Sequence, residues 1–282
     1  MTHHWHLIDP IIDQALREDM PYGDVSAAAV LPEPAPAVAL VTAKAPGVVA
    51  GLLVGARTFQ RLDPDAQVEL LARDGERVLP GRDVMRIRCD ARALLSAERT
   101  ALNLMQRMSG IATAVREFVD ALRGYDTVVA DTRKTAPGLR VLDKLAVLMG
   151  GGRNHRFGLS DGVMLKDNHI ALAGGVAQAV HMARQRVSHT MTIEVEAKTL
   201  EQVEEAVNAG ADIIMLDNMP PEVMARAVQI ARGRAIIEAS GNMTVQRALE
   251  AARLGVQVVS VGSVTHSARA LDLSLNVISP GY

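Results

Sequence analysis

The sequence predicts an α/β protein in which a small β-rich region is followed by a parallel α/β barrel. Its 282 residues suffice for two domains, or for one barrel with an appendage. Short apolar runs broken by glycine fill the first ninety residues, whereas strand-like and helix-like segments alternate beyond Tyr125. Aromatic residues make up 2% of the chain against 49% hydrophobic residues, so the cores must be aliphatic and rich in methionine.

The N-terminal region is expected to begin with a helix and to continue as strands. Residues 8–18 have helical spacing, and the turn cluster PYGDVS follows at residues 21–26. Strands separated by tight turns are predicted over residues 37–43, 48–53, 67–72 and 83–89. Helical spacing returns over residues 94–122, and Gly110 is expected to divide this stretch into two helices.

Repeated βα units are predicted for the rest of the chain. The strands are expected over residues 127–130, 162–166, 191–196, 212–216, 235–239 and 256–261. Helices follow most of them, over residues 172–185, 200–209, 221–232 and 245–254. Apolar strands joined by helices form a parallel sheet, either open or closed as a barrel. A barrel is favoured because polar residues lie at the strand ends, where its active site is built: Asp131, Lys166, Glu196, Asp217, Ser240 and Gly262.

Composition excludes several classes of protein. The net charge of −2 argues against a nucleic-acid binder, and no apolar run reaches the length of a membrane span. The single cysteine, Cys89, excludes an intrachain disulfide and fits a reducing cytoplasm. The first residues lack the apolar core of a signal peptide, and His3, His4 and His6 are expected in a solvated N-terminus rather than a metal site.

Positive charge is concentrated in three clusters: TRKTAPGL at residues 132–139, GGGRNHRFGL at 150–159 and LKDNHI at 165–170. Residues 132–169 contain seven Lys or Arg against three Asp or Glu. Arg133 and Lys134 alone would suggest a solvated loop, but neighbouring βα loops converge over one barrel mouth. The clusters therefore predict a pocket for a small, multiply negative substrate.

Two basic residues leave more than one role open. His155, which follows a triple glycine together with Arg156, could be a hydrogen-bond donor, a general acid or a structural histidine in a salt bridge. Lys166 ends a predicted strand, where it could form a Schiff base or neutralise an anion.

Acidic and glycine-rich elements complete the predicted rim. Glu194 and Glu196 are two apart on one strand and so face the same way, while Asp217 ends the next strand. Such an oxygen set suits Mg²⁺ beside phosphates, unless the carboxylates simply pair with Lys134 or Lys166. The loops after the last two strands predict a phosphate site at Ser240, Gly241, Asn242, Gly262 and Ser263.

The chain resembles the quinolinate phosphoribosyltransferase family over nearly its whole length. The resemblance is carried by ALREDMPYGDVS, SAERTALNLMQRMSGIAT, DTRKTAPGLR, GGGRNHRFGLSDGVMLKDNHI, IEVE, LDN and EASGN. It implies an N-terminal α/β sandwich over residues 1–110, to which residues 270–282 return. It also implies an open, incomplete α/β barrel of six or seven parallel strands over residues 111–269, and assembly as a homodimer.

The resemblance also implies an activity and a set of roles. The enzyme would transfer a phosphoribosyl group from phosphoribosyl pyrophosphate to quinolinate with decarboxylation, giving nicotinate mononucleotide, pyrophosphate and CO2 in cytoplasmic NAD biosynthesis. Quinolinate would be held by Arg133, His155 and Arg156, near Thr132, with Arg99 lent by the partner subunit. Lys134, Lys166, Glu196 and Asp217 would be catalytic, and Glu196 and Asp217 would hold Mg²⁺. Glu194 would lie with Glu196 and Asp217 around the ribose and pyrophosphate. The 5′-phosphate would lie in the glycine-rich loops after the last two predicted strands.

Three alternatives remain at this point. A related pyrophosphorylase-like group associated with molybdate transport shares TRKT and HR, and the KDNH element at residues 166–169 decides against it. A Schiff-base aldolase would use Lys166 with a carbonyl substrate. A non-catalytic binding protein on the same fold would have lost charged pocket residues, yet all of them are present.

Overall fold

The computed structural model of the chain describes residues 5–31 and 33–280. His3 and His4, expected in a solvated N-terminus, lie outside the described residues. His6 is exposed in the first helix. The chain divides into two compact units, of which the second contains Glu117–Lys134 and Gly152–His266. The first unit contains the rest of the described chain.

The elements of the N-terminal part are α1 (Trp5–Asp19), α2 (Val25–Val30), β1 (Pro36–Ala43), β2 (Gly47–Val48), α3 (Leu52–Leu62), β3 (Gln67–Leu70), β4 (Arg77–Val78), β5 (Asp83–Asp90) and α4 (Ala91–Ala121). The chain continues with β6 (Val128–Ala130), α5 (Arg140–Met149), β7 (Val163–Leu165), α6 (Asp167–Ala173), α7 (Val176–Arg186), β8 (Ile193–Ala197), α8 (Leu200–Asn208), β9 (Ile213–Asp217), α9 (Pro221–Ala231), β10 (Ile236–Ser240), α10 (Val245–Arg253), β11 (Val258–Ser260), α11 (Ser263–His266) and β12 (Leu273–Pro280).

The first unit is built on an antiparallel sheet with strand order β12-β1-β5-β3. Alternate residues of β1 are buried, as expected for a strand with one face against a core. That core is mainly aliphatic, with Leu52 and Ile87 fully buried among alanine, valine and methionine side chains, and it also contains the fully buried aromatic Phe59. Strand β12 pairs with β1 along its length, so the C-terminal segment completes this sheet.

Two expectations for the first unit are wrong. Helix α4 runs unbroken through Gly110. A side chain at this position would collide with the backbone carbonyl of Arg269. Close backbone packing thus explains a glycine that looked like a helix end. The strand predicted over residues 48–53 ends at Val48, and α3 starts at Leu52 after Gly51 adopts a left-handed conformation with φ 83°.

The second unit is the predicted open barrel, with six parallel strands in the order β6-β11-β10-β9-β8-β7. Strands β6 and β7 are its two edges. The register aligns the carboxyl ends of neighbouring strands, since Ser240 on β10 lies opposite Asp217 on β9. Hydroxyl caps fix the helix starts: Thr199 accepts from the Gln202 N–H, and Thr244 accepts from the Arg247 N–H.

The helices differ from expectation in two places. The helix predicted over residues 172–185 is two helices, α6 and α7, because Gly174 and Gly175 both take positive φ between them. Helix α5 was not predicted. It is fixed by its fully buried Asp143, which accepts two hydrogen bonds of 2.7 Å from Arg107 on α4.

Two further expectations concern the domain boundaries and helices that could cross a membrane. The predicted domain boundaries stay predictions; the part of the C-terminal segment that pairs with the first unit's sheet is Leu273–Pro280. Among the described residues, no helix combines the length and the apolar character that crossing a membrane requires.

Candidate active site

A cavity of about 640 Å³ opens at the carboxyl ends of the parallel strands, within the second unit. It is lined by Thr132, Arg133, Lys134, His155, Arg156, Met164, Lys166, Glu196, Met215, Asp217, Asn218, Ser240, Gly241, Asn242, Met243, Ser260, Gly262, Ser263 and His266. All the predicted site residues except Arg99 and Glu194 are therefore brought to one cavity. Arg99 is exposed on α4, in the first unit, and Glu194 is buried in the barrel.

The loop after β6 carries two of the cations, and hydrogen bonds fix its path. The Lys134 N–H donates to the Thr132 hydroxyl at 3.0 Å, and the Lys134 carbonyl accepts from the Thr265 hydroxyl at 2.9 Å. An added Cβ at Gly262 would come within 2.9 Å of the Lys134 side chain. The glycine thus leaves room for this lysine at the rim.

Arg156 is a half-buried cation whose guanidinium donates to the Gly162 carbonyl at 2.9 Å. Burial lowers its pKa, and the positive charge of Arg133 lowers it further. Two guanidinium groups that repel each other in a partly dry cavity are stabilised by a bound anion.

The acidic part of the cavity is formed by Glu196 and Asp217. Lys166 Nζ lies 2.6 Å from a Glu196 carboxylate oxygen, and the Asn218 side-chain amide donates to Asp217 at 3.0 Å. Glu196 is thus paired with a lysine, which was one of the two predicted alternatives for the carboxylates. Both acids line the cavity.

Backbone strain is concentrated in the loops after β9 and β10. Asn218 and Asn242 have positive φ angles of 54° and 42°, which non-glycine residues rarely adopt. Between them in space is Gly241, with φ 94°, where an added Cβ would run into the Asn218 side chain. The close approach of these two loops therefore demands glycine at position 241.

His155 has protein partners at both ring nitrogens. Nδ1 accepts a hydrogen bond of 2.7 Å from the Arg156 backbone N–H, and Nε2 lies 3.1 Å from a Glu194 oxygen. The backbone N–H of His155 donates to the fully buried Asp131 at 2.7 Å. The imidazole is thus held as part of the protein framework at the edge of the cavity.

Sequence reasoning missed Glu238 on β10 and several cavity-lining residues, among them Met164, Met215 and Ser260. The sequence does contain a signal that could have identified these four residues. Met164, Met215, Glu238 and Ser260 lie two residues before the predicted strand-end residues Lys166, Asp217, Ser240 and Gly262, respectively. Alternate residues of a strand face the same side, so the predicted residues mark a second inward layer beneath them. Asn218, Met243 and His266 lie in loops or in α11, where no such periodicity applies.

Comparisons with known proteins agree with this geometry. The family model described as quinolinate phosphoribosyl transferase, C-terminal domain, matches residues 111–276, and the model for the N-terminal domain matches residues 24–109. The chain is 42% identical over 267 residues to a probable nicotinate-nucleotide pyrophosphorylase [carboxylating] of Bacillus subtilis, covering 95% of this chain and 92% of that protein. A protein of Archaeoglobus fulgidus with the same name is 45% identical over 269 residues, covering 92% and 100%.

Solved structures give the same result. NadC from Streptococcus pyogenes superposes with a TM-score of 0.93 at 42% identity, over 98% of each chain. The nicotinate-nucleotide pyrophosphorylase from Francisella tularensis superposes with a TM-score of 0.92 at 36% identity, over 96% of each chain. The fold, the polar cavity and these matches define an enzyme that transfers a phosphoribosyl group. Within that class, the chain belongs to the quinolinate phosphoribosyl transferase family.

Proposed function

We propose that this chain transfers the phosphoribosyl group of phosphoribosyl pyrophosphate to quinolinate and releases CO2, yielding nicotinate mononucleotide and pyrophosphate. The observation that carries the proposal is one cavity in which Arg133, Lys134, Arg156 and Lys166 surround a space shared with Glu196 and Asp217. A pyridine dicarboxylate and a sugar pyrophosphate repel each other in solution. Fixed cations hold both in one geometry, which converts a two-body encounter into an oriented reaction.

Quinolinate binding falls to the two arginines. Each guanidinium presents a planar fork that suits a carboxylate, and their mutual repulsion is relieved when a dianion is bound between them. This arrangement directs the ring nitrogen at the ribose, and the nitrogen attacks the anomeric carbon as pyrophosphate leaves. Glu196 and Asp217 provide negative charge near the oxocarbenium character that develops there.

Decarboxylation follows from the charge of the product. After the attack the ring nitrogen is a pyridinium, whose positive charge stabilises the electron pair left on C2 as the adjacent carboxylate leaves as CO2. A proton from water then bonds to C2 and completes nicotinate mononucleotide. The protein's contribution is to keep the ring in place beside Arg133 and Arg156.

The 5′-phosphate is assigned to the loops after β10 and β11. Gly241 and Gly262 bring backbone close to the cavity, and Ser240, Asn242 and Ser263 add side-chain hydrogen-bonding groups. Asn242 of the loop after β10 donates a hydrogen bond of 3.4 Å to Asn218 of the loop after β9, which ties these two strained residues together.

Mg²⁺ fits the donor set of the cavity. Glu196 and Asp217 are oxygen ligands, and Mg²⁺ in phosphate sites is held by one or two carboxylates with the substrate oxygens supplying the rest. When bound, Mg²⁺ neutralises the charge of the departing pyrophosphate. The carboxylate of Glu196 would turn from Lys166 to the ion, which frees the lysine for an anionic oxygen.

Assembly as a homodimer belongs to the same proposal. Arg99 is exposed on α4, as expected for a side chain that serves a partner. A cytoplasmic location stays a prediction of the sequence.

A labelled-substrate assay tests the reaction. The chain would be incubated with phosphoribosyl pyrophosphate, Mg²⁺ and quinolinate carrying an isotope in its 2-carboxylate. We expect equal amounts of nicotinate mononucleotide and labelled CO2. Turnover that retains the 2-carboxylate in the product would reject decarboxylation, and borohydride trapping of Lys166 on a carbonyl substrate would favour an aldolase instead.

A further inference from the structure

A buried group of three titratable side chains lies in the barrel next to the cavity. It consists of Glu194 on β8, Glu238 on β10 and His155, and we refer to it as the Glu–Glu–His cluster. One ligand-type atom of each residue lies within 4.8 Å of the other two. Both glutamates are 3% exposed, and His155 Nε2 lies 3.1 Å from Glu194 and 3.6 Å from Glu238. The proposed reaction has no role for Glu238.

The hydrogen bonds of His155 decide what this cluster can do. Because Nδ1 accepts from the Arg156 N–H, the neutral ring carries its proton on Nε2, the nitrogen that faces the glutamates. A metal ion at that position would need a lone pair on Nε2, which this tautomer does not offer. The cluster is therefore organised as a hydrogen-bonded chain that runs from Glu194 through His155 to the backbone of Arg156.

The two glutamates cannot both be ionised without a large cost. Oε1 of Glu194 and Oε1 of Glu238 are buried and have no hydrogen-bond partner among the described residues. Two neighbouring carboxylates in such surroundings retain one proton between them. Glu194 receives the imidazole N–H, so the proton belongs on Glu238.

The surroundings of Glu238 agree with this assignment. Burial, as the larger cause, and the negative charge of Glu194 together raise the pKa of Glu238 to about 7, against the opposite effects of His155 and the Ser260 hydroxyl. These are the groups that face it: Glu194 from β8, His155 from the loop before β7 and Ser260 from β11. Its register neighbour on β9 is the apolar Met215.

We propose that Glu238 is a positioning residue for quinolinate binding: in its protonated form it leaves Glu194 free to hold His155, which in turn fixes the backbone of Arg156. This inference rests on the proposed function, because quinolinate is the ligand that Arg156 binds there. His155 then supports the cavity from within the protein. Loss of the Glu238 proton adds a second negative charge beside the cations and weakens the binding of a dianion.

Direct binding of quinolinate to the full chain tests the proposal without requiring turnover. We expect calorimetric titrations of the wild-type protein to give affinity that falls about tenfold between pH 6 and pH 8.5, with a midpoint near the pKa of Glu238, about 7. Glu238→Gln has the size of the protonated side chain but cannot ionise. Its affinity should match the wild type at pH 6 and stay constant to pH 8.5.

A second variant separates positioning from a direct role in the sugar site. Glu194→Leu removes the acceptor of the His155 ring while keeping the volume, so quinolinate affinity should fall about tenfold at every pH. The KM of this variant for phosphoribosyl pyrophosphate should change by less than about twofold. If Glu194 instead contacted the ribose and pyrophosphate, as the family resemblance implies, this KM should change more than the affinity for quinolinate. Melting temperatures identify any variant that fails to fold.

Three results would overturn the proposal. They are wild-type quinolinate affinity that does not change over this pH range, Glu238→Gln affinity that falls in parallel with the wild type, and Glu238→Gln that has lost affinity already at pH 6. An infrared difference spectrum of the wild type between pH 6 and 8.5 adds an independent readout, since a protonated carboxyl band should disappear. Failure of the function itself is distinct, because the protein would then bind quinolinate without producing nicotinate mononucleotide.

Discussion

Replacement of Arg156 by glutamine separates ligand binding from folding. Among the described residues, the Arg156 guanidinium donates one hydrogen bond, to the Gly162 carbonyl, and it faces the like charge of Arg133. Removing its charge therefore takes away a ligand for the substrate carboxylate and also relieves a repulsion. We expect a large loss of quinolinate binding with little change in the free energy of unfolding.

The sizes of the two effects follow from the contacts. A net hydrogen bond to a charged group contributes about 1.5–3 kcal/mol, so KM for quinolinate should rise about 10- to 150-fold. Loss of the bond to Gly162 costs about 1 kcal/mol of stability, and the relieved repulsion offsets part of it. The free energy of unfolding should thus change by less than about 1 kcal/mol.

Initial rates at saturating phosphoribosyl pyrophosphate, together with urea unfolding, provide the assay. Arg186→Gln is the matched control, because Arg186 is exposed in the last turn of α7 and does not line the cavity. The control should behave as the wild type in both measurements. Arg156→Gln with an unchanged KM for quinolinate, or with a loss of stability as large as its loss of binding, would refute the reasoning.

Three further predictions concern other parts of the molecule. Gly241→Ala should lower the free energy of unfolding by about 1–3 kcal/mol and raise KM for phosphoribosyl pyrophosphate, since it combines a φ of 94° with a collision against Asn218; an unchanged urea midpoint would contradict this. Mixing inactive Arg99→Ala and Arg133→Ala subunits should restore about a quarter of wild-type turnover if Arg99 acts on the partner's site, and none if it acts on its own. Glu238→Gln should gain stability over the wild type as pH rises from 5 to 8, by up to about 3 kcal/mol, because the raised pKa of Glu238 gives the wild type stability at low pH that is lost as pH rises from 4.5 to about 7. A constant difference in unfolding free energy across that range would exclude the linkage.

The repeated βα pattern was enough to predict the barrel and the cavity at its rim. Each strand is a short apolar run, and polar residues such as Lys166, Asp217 and Ser240 follow where the run ends. Because parallel strands share one carboxyl edge, residues far apart in sequence could be assigned to one place. That argument depends only on strand direction, and it holds without knowledge of side-chain packing.

The errors have a common cause in tertiary contacts. Gly110 has the local signature of a helix end, and only the Arg269 carbonyl packed against it explains why a glycine stands inside an unbroken helix. The apolar run at residues 48–53 is too short for periodicity to separate strand from helix. The Glu–Glu–His cluster joins residues from two strands and a loop. Spacing in the sequence does not predict which nitrogen of the imidazole contacts which carboxylate.

The ratio of kcat/KM for quinolinate to that for nicotinate tests the central claim most directly. Nicotinate lacks the carboxylate next to the ring nitrogen, so one of the cations at Arg133 and Arg156 would remain without its anion. We predict a ratio of at least about 100 in favour of quinolinate. A ratio near one, or below it, would show that the cationic cavity does not select a dicarboxylate.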